Sequence, residues 1–443
     1  MASPHAKLLT RSKTPFAEAP WQQGLPSPYY KETHYRFREW LKKWVDDNLM
    51  ELADEWEEIE DDAKLAKVFQ LFAKEGFLLP FALGVRVPQK FVDMAGGQKL
   101  PGGVPPGEWD NFHDFILIDE LARTASNGVV MGNYGGLAYG AGPIVHFASE
   151  GLQKRLLPDI LTGKKRISLA ITEPSAGSDV AGVSTVAKLS DDGKHYVVTG
   201  LKKWITNGIW SDFFTTAVRT SGKPGDQKGI SFLVIPRSEG VRTTKMKMQS
   251  AGSGTTFVEF DEVKVPAENL IGKEGEAFKY IMWNFLHERE TIIYVALRFC
   301  RVCIEDATNH ANRRQVFGKK LIEQPVVRYN LANMARQTEA LQAWTEAIVY
   351  QHSKMTTNQA NILLGGNTAL LKAHAAIVVS DIAREAGYLM GGTGLTKGGI
   401  AARIERIYRE VNGLATPGGS VAVMLDAGVR QAIKTVGLDP SKL

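Results

Sequence analysis

The chain has 443 residues, 53 Lys and Arg against 48 Asp and Glu for a formal charge of +5, 44% hydrophobic residues and two cysteines. That composition excludes a disordered or fibrous chain, a disulfide framework and a dense basic arm for nucleic acid. It leaves a globular, soluble protein of about three domains in a reducing compartment, with an anionic small ligand as the natural partner. No apolar stretch reaches the roughly 18 residues that span a bilayer, and no metal-ligand spacing is found.

Residues 1–30 are rich in Pro and small polar types and read as a poorly ordered or strap-like leader. An N-terminal helical domain is expected over 31–165. There Phe37, Trp40, Leu41 and Trp44, then Val68, Leu71 and Phe72, recur at helical spacing. Within it, Gly84 to Asp110 is so rich in Gly and Pro that a long irregular loop, and a candidate lid, is expected. Over 166–273 short β-branched and aromatic runs such as HYVVTG and GISFLVI predict a small antiparallel sheet or barrel. From 274 to 438 long amphipathic segments, about Ala277 to Arg313, Pro325 to Met355 and Thr357 to Met390, predict a four-helix bundle. The expected fold is thus mostly α with a central β domain. Cys300 and Cys303 form a C-x-x-C string inside the first bundle helix, where packing explains them better than redox chemistry.

Two strings carry chemistry. LAITEPSAGSDVAG at Leu169 to Gly182 is a strand end running into small residues and hydroxyls, which lets backbone N–H groups, Thr172 and Ser178 approach a polar ring or phosphate. KKWITNG places the flat indole of Trp204 close to the hydroxyl of Thr206. Read from the residues alone, a cofactor pocket and a buried-Trp core both remain open.

Together with RRQVFGKKLIEQP (Arg313 to Pro325) and GYLMGGTGL (Gly387 to Leu395), these strings resemble the acyl-CoA dehydrogenase family, in matching order over about 160–435. The resemblance implies FAD, with Thr172, Ser178, Trp204 and Thr206 at the flavin. It places Arg314, Phe317, Gly391 and Gly392 at the adenine-diphosphate half, typically from a neighbouring subunit of a homodimer or homotetramer. It implies oxidation of an acyl-CoA to the 2,3-enoyl-CoA, in which a carboxylate takes the α-proton while the β-hydride leaves to flavin. Most members place that Glu shortly after the GG-x-G turn, and counting from Ile407-Tyr408 puts Asn412 there.

The isovaleryl and long-chain types instead carry the Glu early in the first bundle helix, just before an Arg. By spacing this lands on Glu288, followed by Arg289, with Glu290 and Glu410 as runners-up. A charged first helical turn, favoured by the macrodipole, would explain the same letters. Arg289 and Ser178 are the substrate-binding candidates.

Two positions depart from the family pattern: Leu286 stands for an Asp that helps hold CoA, and Pro325 for a Gln. They keep alternatives in view: a flavin oxidase of a related acidic carbon (a nitroalkane or carrier-bound acyl group), or a non-catalytic flavin-binding scaffold. The sequence ends Ser441-Lys442-Leu443, the peroxisomal address read by an import receptor. The expected protein is therefore a peroxisomal, fungal-type member whose acceptor is a flavoprotein carrier or oxygen.

Overall fold

Helical and β-branched segments alternate along the chain much as their periodicities predict in a computed structural model, which describes residues 3–56, 62–249 and 252–437. The expected targeting tail, 439–443, lies outside the described residues. Helices α1 (Glu32–Asn48), α2 (Met50–Trp56), α3 (Asp62–Lys74), α4 (Leu78–Leu83), α5 (Gln89–Met94), α6 (Asn111–Ala122), α7 (Asn127–Asn133), α8 (Gly135–Phe147) and α9 (Glu150–Leu161) come first. Strands β1 (Ile167–Ala170), β2 (Val186–Leu189), β3 (His195–Ile205), β4 (Phe213–Arg219), β5 (Ile230–Pro236), β6 (Val241–Lys245), β7 (Thr256–Pro266) and β8 (Leu270–Ile271) follow. Helix α10 (Ala277–Arg313), the hairpin β9 (Gln315–Val316) and β10 (Lys319–Lys320), then α11 (Pro325–Ser353), α12 (Thr357–Leu363), α13 (Gly365–Met390), α14 (Ala402–Ala415) and α15 (Val421–Thr435) complete it. The order of N-terminal helices, middle β domain and C-terminal helices is the expected fold class.

The chain divides into two compact units: Met1–Glu58 with Asp110–Asn127 and Leu286–Leu443, and Ile59–Trp109 with Gly128–Phe285. In the second unit the sheet runs β6-β7-β3-β2-β4-β5-β8, with β1 beside β4. Most pairings are antiparallel, but β1 and β2 each run parallel to β4, because the chain crosses over before returning to them. Inward residues such as Val198, Phe214, Leu233, Val258 and Phe260 form the core of the sheet. Helix α8 lies directly on β1: a methyl on Gly140 would come within 2.8 Å of the Ser168 carbonyl carbon.

The Gly84 to Asp110 stretch is not the irregular loop expected. Phe91 and Val92 of α5, with Leu100 and Trp109, are buried, and Trp109 Nε1 donates to Gly84 O at 3.1 Å. The chain crosses so close to Gly76 (φ +78°) that a methyl there would sit 2.0 Å from Lys99 O. Apolar anchors spaced among the glycines hold the segment down, which its average composition conceals.

In the first unit, α13 packs against α11, α14 and α15, and α6 against α1 and α11. Asp110 caps α6 by accepting from Phe112 N and His113 N, and its carboxylate also takes His34 Nε2 of α1 at 2.8 Å. Over its described residues, 3–30, the leader is an ordered strap. Trp21 stacks on Tyr30 with centroids 3.9 Å apart, and Arg301 donates to Phe16 O and Glu18 O, each at 3.1 Å. Buried Arg38 pairs with Glu18 and Glu120. Charged partners far along the sequence fix a segment whose own residues carry no periodic signal.

Candidate active site

In the second unit the two chemical strings meet along β3. Lys203 N donates to Thr172 O at 2.8 Å, which joins the LAITEP loop to the strand edge. The loop is fixed by Glu173, a residue the sequence reading passed over. Its carboxylate accepts from Ser184 N (2.8 Å) and Oγ (2.7 Å), Thr185 N (2.9 Å) and Oγ1 (2.6 Å), and the buried Lys202 Nζ (2.7 Å). Burial opposes the charge, but Lys202 and these donors win and hold the carboxyl down to about 2. Burial in turn draws the Lys202 ammonium down to about 8.

Trp204 is not core. The β3–β7 register slips between Lys202 and Ile205, and at this bulge Trp204 takes φ +59°, turning its indole outward to 48% exposure while Lys202 and Ile205 stay buried. A bulky residue in the left-handed region signals a constraint the surroundings impose. Lys203 Nζ lies 4.1 Å from the ring centre. Next along, Thr206 is half-buried against α8, its Cγ2 3.3 Å from a methyl built on Gly135. Asn207 Oδ1 accepts Gly136 N at 2.9 Å, and a methyl on Gly136 would collide with that side chain at 2.5 Å. Among the described residues the hydroxyls of Thr172, Ser178 and Thr206 have no hydrogen-bond partner. A solvent-facing indole on the strand to which the loop of unpaired hydroxyls is bonded suits the face of a flat polar ring such as a flavin.

The other cofactor candidates lie in the first unit. The β9–β10 hairpin turns on Phe317 (φ +49°) and Gly318 (φ +74°), two consecutive left-handed residues of the kind a two-residue hairpin needs. This lifts Phe317 to 96% exposure. Arg314 is exposed at the base of the hairpin, and Gly391 (φ +58°) and Gly392 are exposed where α13 ends, with nothing within 4 Å of a methyl on either.

The base candidates separate by environment, all within the first unit. Glu288 is not in a first turn: α10 begins at Ala277, about three turns earlier. Its side chain is buried, 9% exposed, and among the described residues no hydrogen bond or ion pair holds it. Burial pushes its carboxyl up to about 7 against the pull of Arg289, Lys372 and His287. Glu290 is paired with His352 Nδ1 at 2.8 Å, and Glu410 accepts Asn127 N at 2.8 Å. His287 Nε2 meets Asp114 at 3.0 Å.

Asn412 is exposed on α14 and is not the residue that faces Glu288. That place belongs to Gly418 in the turn between α14 and α15, where a methyl would lie 3.8 Å from Glu288 Oε1. Counting along α14 missed it because the helix continues to Ala415 and the turn comes after it. Arg289 Nε donates to Gly418 O at 3.1 Å, and Lys372 Nζ donates to Ala415 O at 2.8 Å and Gly419 O at 2.6 Å. Lys372 was also passed over, since nothing in its apolar surroundings on α13 marks it.

Leu286 is buried, and so are Cys300 and Cys303. Burial raises both thiols, Cys300 to about 12, far from a reactive thiolate.

Three family models match in order: "Acyl-CoA dehydrogenase, N-terminal domain" at 31–164, "middle domain" at 168–263 and "C-terminal domain" at 275–433. The chain is 44% identical over 435 residues to acyl-CoA dehydrogenase apdG of Emericella nidulans, covering 98% of each protein. It is 35% identical to acyl-CoA dehydrogenase AFT10-1 of Alternaria alternata, covering 96% of each. The crystal structure of an acyl-CoA dehydrogenase complexed with FAD from Bacillus anthracis shares the fold, with TM-score 0.81 and 21% identity, over 100% of this chain and 74% of that one. The chain belongs to the acyl-CoA dehydrogenase family.

Proposed function

We infer that Glu288 is the base with which this FAD-dependent acyl-CoA dehydrogenase takes the α-proton of its substrate. FAD, when bound, supplies the acceptor for the β-hydride. The observation that carries the assignment is the buried Glu288 carboxylate, which no neighbour among the described residues hydrogen-bonds and against which Gly418 presents no side chain. A carboxylate poised near neutrality holds a proton firmly enough to remove it from carbon yet is substantially ionised at working pH. Glu290 and Glu410 already have partners, and Asn412 has no basic atom to offer.

Thr172, Ser178, Trp204 and Thr206 would hold the flavin ring. Arg314, Phe317, Gly391 and Gly392 would meet the diphosphate and adenine, a guanidinium suiting the anion and the glycines admitting close approach. That these last residues are all exposed in a single chain supports a homo-oligomer, a dimer or tetramer, in which they serve the cofactor of a second copy. A solution mass of one chain with FAD fully retained contradicts this. Ser178 and Arg289 are assigned to the acyl-CoA, Arg289 contributing its charge while its Nε stays on Gly418 O.

Import into peroxisomes rests on Ser441-Lys442-Leu443 alone. A reporter ending in those residues should become peroxisomal, and a diffuse reporter removes that assignment. The base is tested by Glu288→Gln, which should purify with FAD yet stay oxidised when mixed anaerobically with acyl-CoA. Normal bleaching would place the base elsewhere.

A further inference from the structure

Lys372 is the most unusual charged residue of the first unit. It sits inside α13 at 0% exposure, and among the described residues it forms no ion pair. Buried lysines are rare unless paired, because removing an ammonium from water is costly. What it has instead are the carbonyls of Ala415 and Gly419, at 2.8 and 2.6 Å. Arg289 takes the carbonyl between them, Gly418 O, at 3.1 Å. Two cations thus grip successive parts of one turn, and that turn covers Glu288.

We propose that Lys372 is a positioning residue of the dehydrogenation, pinning the Ala415 to Gly419 turn over the Glu288 carboxylate and holding its positive charge on that turn. The proposal rests on Glu288 being the base. Capping alone accounts for the bond to Ala415 O, the last residue of α14. It does not account for a buried full charge, since a neutral donor would satisfy a carbonyl at lower cost. Next to a carboxylate that must give up its proton before it can act, the charge has a use.

The groups that act on Glu288 are Arg289 and His287 from its own helix and Lys372 from α13, with Asp114 of α6 facing His287. Burial lowers Lys372 to about 8, and Glu288 resists that fall. Both groups therefore titrate in the neutral range. Both groups are charged at once between loss of the proton from Glu288 on the acid side and loss of the proton from Lys372 on the alkaline side.

The test uses FAD-loaded wild type, Lys372→Met, Lys372→Arg and Glu288→Gln, and reads the rate of anaerobic flavin bleaching by acyl-CoA as a function of pH. Removing the cation disfavours the Glu288 carboxylate, so in Lys372→Met the acid limb should move up by about one pH unit, with a roughly fivefold loss at pH 7. Lys372→Arg should keep the limb at its wild-type position. If Lys372→Met does not retain flavin, Lys372→Gln, neutral but still a donor, is read by the same criterion. An acid limb unmoved in the neutral variant, or moved equally in Lys372→Arg, overturns the proposal and leaves a structural cap. Normal bleaching in Glu288→Gln overturns the base assignment instead, so the two failures are distinct.

Discussion

Gly418 lies against Glu288 so closely that a methyl built on it would sit 3.8 Å from Glu288 Oε1 and 3.1 Å from Ile292 Cδ1. The backbone there has φ +67°, a conformation that L side chains adopt at a cost of about 1–2 kcal/mol. Gly418→Ala should therefore lower the melting temperature by a few degrees. It should also slow flavin bleaching more than it weakens FAD retention, because the added methyl, tight against Ile292 and in contact with Glu288 Oε1, takes up the open space over the carboxylate. Unchanged bleaching at unchanged stability would mean that the turn is not held against Glu288.

Glu173 is the staple of the middle domain. Its folded carboxyl, near 2, lies below its ordinary value of 4.5. Such a group stabilises the fold above pH 4.5 and loses that contribution as pH falls through its folded value. Glu173→Gln should destabilise the protein at neutral pH by about 3–5 kcal/mol, since it leaves the buried Lys202 ammonium without its counter-charge. The same variant should show a flatter loss of stability on acidification than wild type. Parallel acid-denaturation curves for the two proteins would contradict this account of the LAITEP loop.

Trp204 stands at its bulge in a conformation that stability alone does not favour. Trp204→Gly should relieve the left-handed backbone and leave the melting temperature of the apoprotein equal or higher, while FAD affinity falls by roughly tenfold or more from lost ring contact. Trp204→Phe should retain most of the affinity. Equal FAD binding in Trp204→Gly would mean that the indole serves another ligand.

The helical and β-rich segments were legible because burial on one face imposes a period, and α10 runs over Ala277–Arg313 as its pattern predicts. The strap and the Gly84 to Asp110 segment were not, because Arg301, Arg38 and Trp109 fix them by contacts that no local pattern encodes. At the site, Glu288 was singled out through motif spacing, and its burial without a hydrogen-bond partner among the described residues is what the structure adds. Gly418 was missed because the end of α14 at Ala415, which sets where the turn begins, is a boundary that periodicity places poorly. Glu173 and Lys202 were missed because an ion pair 29 residues apart becomes visible only once β3 brings its members together.

The central claim, that Glu288 removes the α-proton, is tested most directly by separating the proton step from the hydride step. An acyl-CoA with sulfur in place of its β-carbon has no hydride to give, so exchange of its α-hydrogens with deuterated solvent reports the base alone. FAD-loaded wild type should exchange them, with a rate that rises with pH as Glu288 ionises around 7. Glu288→Gln with full FAD should exchange at least about 100-fold more slowly. Exchange at the wild-type rate in Glu288→Gln would contradict the assignment.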